Sequence, residues 1–226
     1  MPRQRRLIMP GFPHHITHRG NRRAPVFRDD ADRRFYLSRL LHYSRLYDLR
    51  LYAYSLMSNH VHYVAVPPTR QAVSNCLHDL HGTYAAYFNR KYGFDGHLWQ
   101  ERFFACVLGD THLWNAVRYV ERNPVEARLV EHAEEYLWSS ARAHCGLTID
   151  PALDPRFPPP GLIPDWRLWL AEQLSVDELA AIRTATRRGV PYATESFIRE
   201  LERLTGSRFP PRRRGRPTKS SENTEV

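Results

Sequence analysis

Two histidines separated by one residue are the first candidates for chemistry in this chain. His60 and His62 begin a segment, residues 60–66, whose apolar and aromatic composition predicts a β-strand. Because alternate residues of a strand point to the same face, the two imidazoles are expected to lie side by side. Two neighbouring imidazoles can bind one divalent ion. Taken alone, however, such a pair is more often incidental than a metal site.

A tyrosine and an asparagine on a predicted helix form the second candidate. Tyr119 and Asn123 are four residues apart and therefore share one helical face. The phenol oxygen could reach a phosphate held by the same ion, and the Asn123 amide oxygen could complete the ligand set. Two nitrogens and one oxygen suit Mg²⁺ or Mn²⁺ with open positions better than a closed zinc site. The alternatives are a packing role for Tyr119 and a helix-ending role for Asn123.

Hydrophobic periodicity predicts the elements that must position these residues, in the order β-α-β-β-α-β-α. The first six elements match a ferredoxin-like arrangement, an α+β fold whose antiparallel sheet carries two helices on one face. Pro124 is expected to stop the third helix or to begin another turn. The predicted strands are 13–19, 49–56, 60–66 and 102–108, and the predicted helices are 29–46, 71–92 and 111–122.

The composition of the chain changes near residue 150. Residues 150–165 are rich in proline and predict a linker or strapping loop. Two further helices are predicted at 175–188 and 195–205, whereas 206–226 has no periodicity and predicts disorder. We therefore divide the chain into a main domain at 1–150, a proline-rich linker with a small helical accessory region at 151–205, and a basic tail at 206–226.

The charge of the protein favours a polyanionic partner. The net charge is +9, and among the 33 basic residues only Lys91 and Lys219 are lysines. Arginine suits phosphate and base-edge contacts, although the genome's codon usage could also explain its excess over lysine. The three cysteines form no Cys-x-x-Cys pair, which argues against a zinc ribbon or a disulfide framework. No apolar run approaches the roughly 18 residues of a membrane span, and the N-terminus lacks the apolar core of a signal peptide, so we expect a cytoplasmic location.

Several short motifs resemble one known family. Met57–His62 resembles the histidine–hydrophobe–histidine motif of the HUH superfamily. His18–Arg23, Gly96–Phe103 and Tyr119–Val125 resemble segments of the REP-associated tyrosine transposases, which are relatives of the IS200-like transposases of bacterial insertion sequences. The resemblance covers roughly residues 10–145, and the motifs occur in the order and spacing of that family.

The resemblance implies a specific activity. By position, His60 and His62 match the two metal-binding histidines, Asn123 the third ligand and Tyr119 the nucleophile. The expected reaction is metal-dependent cleavage and rejoining of single-stranded, hairpin-containing DNA with Mg²⁺ or Mn²⁺, through a 5′-phosphotyrosine. Free tyrosine has a pKa of roughly 10, so the nucleophile needs an ion, a base or a cationic field to lose its proton. Tyr84, Tyr87 and Tyr92 are the alternative nucleophiles.

Two basic regions are candidates for DNA binding. The first lies at the end of the first strand and includes the following turn, with one further arginine at the start of the predicted fourth strand. Its members are Arg19, Asn21, Arg22, Arg23 and Arg102. The second lies in the tail and consists of Arg212, Arg213, Arg214 and Arg216. The run Arg214–Pro217 resembles an AT-hook, which predicts binding to AT-rich duplex DNA through the minor groove. Non-specific phosphate binding is the alternative for the tail.

Other functions remain open at this level. A non-catalytic relative that binds repeated hairpins or represses its own locus would keep the fold without the reaction. A replication or plasmid-relaxation initiator would share the chemistry, but such proteins are usually larger. We expect a bacterial, nucleoid-associated protein, and the sequence does not distinguish a monomer from a homodimer.

Overall fold

A computed structural model describes residues 6–209 of the chain. Within this range, the predicted order of strands and helices is confirmed, and short helices follow the third long one. The strands are β1 (His14–Arg19), β2 (Arg50–Met57), β3 (His60–Val66) and β4 (Phe104–Val107). The helices are α1 (Asp30–Leu46), α2 (Ala72–Tyr92), α3 (Asp110–Glu126), α4 (Ala141–His144), α5 (Trp166–Ala171), α6 (Val176–Arg188) and α7 (Glu195–Thr205).

Among the described residues, the four strands form one antiparallel sheet in the order β2-β3-β1-β4. The two central strands, β1 and β3, pair so that Arg19 lies opposite His60 and Thr17 opposite His62. This is the ferredoxin-like order, which confirms the predicted fold class. The pairing places both candidate histidines at the middle of the sheet.

One face of the sheet is covered by α1 and α2, as predicted. Tyr36 of α1 and Leu80 and Tyr84 of α2 are fully buried against Ile16 and Tyr63 of the central strands. The helix α1 begins at a capping box, in which Asp29 and Asp32 each accept a hydrogen bond from the other's backbone N–H. Burial of this apolar face gives the main core of the molecule.

The opposite face is covered by α3, α5 and α6, which the sequence pattern did not place. Val64 of β3 and Cys106 of β4 lie in a second buried cluster with Val117 of α3 and Ile182 of α6. The proline-rich segment contributes Phe157 to the same cluster. The helix α6 therefore lies against the sheet itself, whereas α5 contacts α3. The assignment of this region as a separate unit stays a prediction.

The third helix continues through its proline. The sequence left open whether Pro124 stops the helix, but α3 runs to Glu126 with Pro124 inside it. A proline lacks the N–H that would bond to the carbonyl four residues earlier, so one hydrogen bond is lost. The helix resumes immediately, since the backbone N–H of Ala127 donates to Asn123 O (3.0 Å). Asn123 therefore lies within the helix and does not end it.

Both edges of the sheet have backbone partners outside the four strands. At the β2 edge, Leu56 N donates to Trp138 O (2.9 Å). At the β4 edge, Tyr192 N donates to Val107 O (2.8 Å). Within residues 6–209, no helix is both long and apolar enough to cross a membrane.

Candidate nuclease site

The candidate residues meet in a cavity of about 830 Å³ between the sheet, α3 and α6. The alternation of β3 places His60 and His62 on the face covered by α3, and the four-residue spacing on α3 turns Tyr119 and Asn123 toward the same space. The cavity is lined by the predicted residues Arg19, Arg23, His60, His62, Tyr119 and Asn123, and by His15, Gln100, Glu126, Arg183, Thr186 and Arg187, among others.

The two motif histidines are close together and poorly solvated. Their ring centroids are 4.8 Å apart, with the rings nearly perpendicular. Burial, assisted by the charge of Arg19, lowers the pKa of His60 to about 4. Burial, followed by the neighbouring His60 and His15, lowers the pKa of His62 well below its ordinary value. Both rings are therefore neutral at pH 7, the form in which imidazole binds a metal.

Asn59, which lies within the motif, orients the first histidine. The Oδ1 atom of Asn59 lies 2.7 Å from His60 Nδ1, while the Nδ2 atom of Asn59 donates to Arg23 O (3.1 Å). With the amide in this orientation, Oδ1 can only accept, so His60 donates from Nδ1. The Nε2 lone pair of His60 then remains for a ligand.

Tyr119 packs edge-on against two imidazoles. Its ring lies 5.5 Å from the ring of His62 and 5.5 Å from that of His15, in both cases nearly perpendicular. The guanidinium of Arg183 on α6 lies 5.7 Å from the centre of the same ring. Tyr119 is 7% exposed. The tyrosine is thus held beside the histidines and under a cation.

These donors fit a divalent cation. Two neutral imidazoles, the amide of Asn123 and the carboxylate of Glu126 line one cavity. The Nδ2 atom of Asn123 donates to Tyr119 O (2.7 Å), which leaves Oδ1 as the atom able to coordinate. Among residues 6–209, no group of three or more His, Cys, Asp or Glu is arranged to hold a metal. Imidazole nitrogens and amide or carboxylate oxygens are all donors that bind divalent metal ions.

The predicted DNA-binding residues are divided between two places. Arg19 and Arg23 line the cavity with Arg183 and Arg187, so four arginines border the cavity that holds the histidines. Asn21 and Arg22 lie exposed in the short 3₁₀ turn Asn21–Arg23. This turn requires a glycine before it, because a Cβ on Gly20 would lie 2.4 Å from Ala24 O.

Arg102 lies elsewhere. It lines a separate cavity with Arg6 and His97, beside α2 on the opposite side of the sheet. The alternative nucleophiles also lie on that side: Tyr84, for example, is buried and donates from its hydroxyl to Val26 O (2.5 Å). The tail arginines Arg212, Arg213, Arg214 and Arg216 lie outside the described residues.

Sequence reasoning missed His15 of β1 and the contribution of α6. His15 lies opposite Val64 in the sheet register and hydrogen-bonds to His62 (2.9 Å). Arg183 and Thr186 come from a helix more than 50 residues beyond Tyr119. Alternation along β1 could have indicated His15, since His15, Thr17 and Arg19 share a face. No local signal indicated that α6 contributes residues to the site.

The chain is similar to a known protein family and to solved structures. The family model described as "Transposase IS200 like" matches residues 10–123. A solved REP-associated tyrosine transposase bound to a REP hairpin is 19% identical, with a TM-score of 0.53 over 66% of this chain and 88% of its own. That likeness shows a shared fold.

Two further results complete the comparisons. A putative transposase from Deinococcus radiodurans is 16% identical, with a TM-score of 0.38 over 54% of this chain and 97% of its own. No curated protein gave a significant match. The family match spans half of the chain and includes every strand of the sheet, both motif histidines, Tyr119 and Asn123. The chain belongs to the IS200-like transposase family.

Proposed function

We propose that this transposase cleaves and rejoins single-stranded, hairpin-containing DNA through a covalent bond between Tyr119 and a 5′-phosphate. The observation that carries the proposal is the edge-on contact of Tyr119 with His62, whose ring centroids are 5.5 Å apart, inside the cavity that also holds His60 and Asn123. A nucleophile and a set of neutral metal donors thus share one site.

The residues of the site divide the work between them. His60, His62 and Asn123 would hold Mg²⁺ or Mn²⁺, which when bound neutralises and orients the scissile phosphate. The four cavity arginines hold the flanking phosphates, because guanidinium groups bind phosphate oxygens in two-pronged fashion.

The reaction at Tyr119 is an exchange of esters. Its Oη forms a bond to phosphorus, the bond from phosphorus to the 3′-oxygen breaks, and that oxygen leaves as a 3′-hydroxyl after taking up a proton. The phenol gives up one proton in the same exchange, so protons balance. The phosphotyrosine ester keeps the bond energy, and a free 3′-hydroxyl can reverse the step and join strands.

The fold comparison and the charge support hairpin-containing DNA as the substrate. The solved transposase of similar fold is bound to a REP hairpin, and we extend hairpin recognition to this chain. Asn21 and Arg22, exposed beside the cavity, are proposed to contact a single-stranded segment next to the cleavage site, and Arg102 a more distant one. Binding of AT-rich duplex by the tail remains a prediction, as does the choice between monomer and homodimer.

The test is a search for a covalent adduct. The full chain is incubated with labelled single-stranded hairpin DNA taken from beside its gene, with Mn²⁺, with Mg²⁺ or with chelator, and separated on a denaturing gel. We expect a metal-dependent protein–DNA band in the wild type and none in Tyr119→Phe, with DNA affinity nearly unchanged in the variant. His60→Ala is expected to lose the metal-dependent band.

A matched control removes a different phenol. Tyr87 lies on α2, on the other side of the sheet, where its ring stacks on Phe35 at 4.0 Å. Tyr87→Phe is expected to form the adduct at the wild-type rate. Tight hairpin binding with no adduct under any metal would instead support a non-catalytic DNA-binding protein, and an adduct in Tyr119→Phe would exclude Tyr119 as the nucleophile.

A further inference from the structure

A line of hydrogen bonds connects α6 to the second metal-binding histidine. Thr186 Oγ1 lies 2.7 Å from His15 Nδ1, and His15 Nε2 lies 2.9 Å from His62 Nδ1. All three side chains are at most 4% exposed. Water therefore has little access to the line, and each atom must find its partner within the protein.

The direction of proton donation follows from Thr186. Its hydroxyl donates to Ile182 O, one turn earlier on α6 (2.8 Å). Since a hydroxyl has one proton, the two remaining lone pairs of Oγ1 can only accept. One accepts from His15 Nδ1, and the thiol of Cys106, 3.3 Å away, can donate to the other.

The protons on the two imidazoles are then assigned in turn. His15 carries its proton on Nδ1, so its Nε2 accepts from His62 Nδ1. With the proton of His62 held on Nδ1, its Nε2 keeps the lone pair that a metal needs. Building on the function proposed above, we propose that Thr186 and His15 are positioning residues that fix this tautomer of His62.

The opposite tautomer would prevent His62 from binding a metal ion. If His62 carried its proton on Nε2, that atom would have no free lone pair and could not coordinate a metal ion. Within the motif, Asn59 holds the proton of His60 on Nδ1 and so leaves the Nε2 atom of His60 free for a metal ion. The position of the proton on His62 is set by Thr186 through His15, and Thr186 lies outside the residues 10–123 matched by the family model. The helix α6 is therefore part of the metal site of this chain.

The first test reads the tautomers directly. Nitrogen chemical shifts of the histidine rings are recorded on the metal-free, DNA-free full chain, with the signals of His62 and His15 identified by their loss in His62→Ala and His15→Gln. We expect both rings to be protonated at Nδ1. A wild-type His62 protonated at Nε2 overturns the inference.

The second test compares three side chains at position 186. Thr186→Val keeps the shape but removes the hydroxyl, whereas Thr186→Ser keeps it. We expect Thr186→Val to shift His62 toward Nε2 protonation and to weaken Mn²⁺ binding about tenfold, measured by electron paramagnetic resonance of free Mn²⁺. Thr186→Ser is expected to stay within about twofold of the wild type. Unchanged Mn²⁺ affinity in a folded Thr186→Val overturns the inference, and if that variant does not fold, the wild-type tautomer decides.

Failure of this inference and failure of the proposed function give different results. Tyr119→Phe is expected to lose the adduct while keeping the Mn²⁺ affinity and the tautomer of the wild type. A wild type with the expected tautomer and no adduct contradicts the function and supports the positioning role. A wild type that forms the adduct but has His62 protonated at Nε2 supports the proposed function and contradicts the positioning role.

Discussion

Arg183 is a charged residue that lies close to the ring of Tyr119 and outside the segment matched by the family model. Its guanidinium lies 5.7 Å from the centre of the Tyr119 ring and lines the same cavity. A cation there attracts both the electron-rich phenol and the phosphate that it attacks. The side chain is exposed, so solvent screens part of its charge.

We expect Arg183→Gln to slow adduct formation about fivefold, because one screened cation contributes about 1 kcal/mol. The measurement is the single-turnover rate at saturating DNA and Mn²⁺. Arg188→Gln, an exposed arginine of the same helix that does not line the cavity, is the control and is expected to keep the wild-type rate. Equal rates for both variants would contradict a role for Arg183.

At the scale of elements, the rotation of α3 decides whether Tyr119 faces the histidines. A buried carboxylate on the other side of this helix fixes that rotation. Glu121 is 0% exposed and accepts hydrogen bonds from Trp166 Nε1 (2.8 Å) and from Ser140. His144 Nδ1 lies 2.6 Å from the same carboxylate. The residues after α3 thereby hold it in place.

Replacing this carboxylate should destabilise the fold. We expect Glu121→Ala to lower the free energy of unfolding by about 3 kcal/mol, because three buried polar groups lose their acceptor and a cavity is left. Urea unfolding followed by circular dichroism measures the change. Glu200→Ala, at an exposed position of α7, should keep the urea midpoint of the wild type. A wild-type midpoint in Glu121→Ala would show that the network does not stabilise α3.

The same scale shows what the sequence could and could not predict. Strands and long helices were predicted because apolar residues repeat at the spacing of each element, as in α2 with Val73, Leu77, Leu80 and Tyr84. Local motifs indicated His60, His62, Tyr119 and Asn123 as candidates, and the structure brings these four residues to one cavity. His15 and Thr186 were missed because their contact joins residues 171 positions apart, and no periodicity encodes such a contact. The sequence pattern did not predict the short helix α5, because this helix lies next to a proline-rich segment.

For the whole molecule, buried histidines make stability sensitive to acid. Burial lowers the pKa of His14 to about 4 from its ordinary 6.5, although a hydrogen bond to Phe12 O opposes the shift. The unfolded chain therefore binds more protons than the folded chain between these pH values. Stability is at its full value above about pH 6.5 and is lost as the pH falls toward 4, by up to about 1.4 kcal/mol per pH unit for each such histidine.

We expect the free energy of unfolding, measured in urea, to fall between pH 7 and pH 5. His14→Gln should reduce that slope, because glutamine can accept from Met9 N and donate to Phe12 O as the histidine does without taking up a proton. His42→Gln, at an exposed position, should leave the slope as it is. A slope that His14→Gln leaves unchanged would remove His14 from the acid response.

The backbone partners at both sheet edges have a consequence for how copies of this chain can associate. An unpaired edge strand offers its N–H and C=O groups to another molecule and is a common start of aggregation. Here the segment around Trp138 and the segment around Tyr192 already take up part of each edge. A second copy could not extend the sheet at these positions without first displacing a piece of the protein itself. Self-association of this chain is therefore expected to rely on contacts between side-chain surfaces. Fibril growth by addition of strands to a sheet edge is disfavoured at both edges.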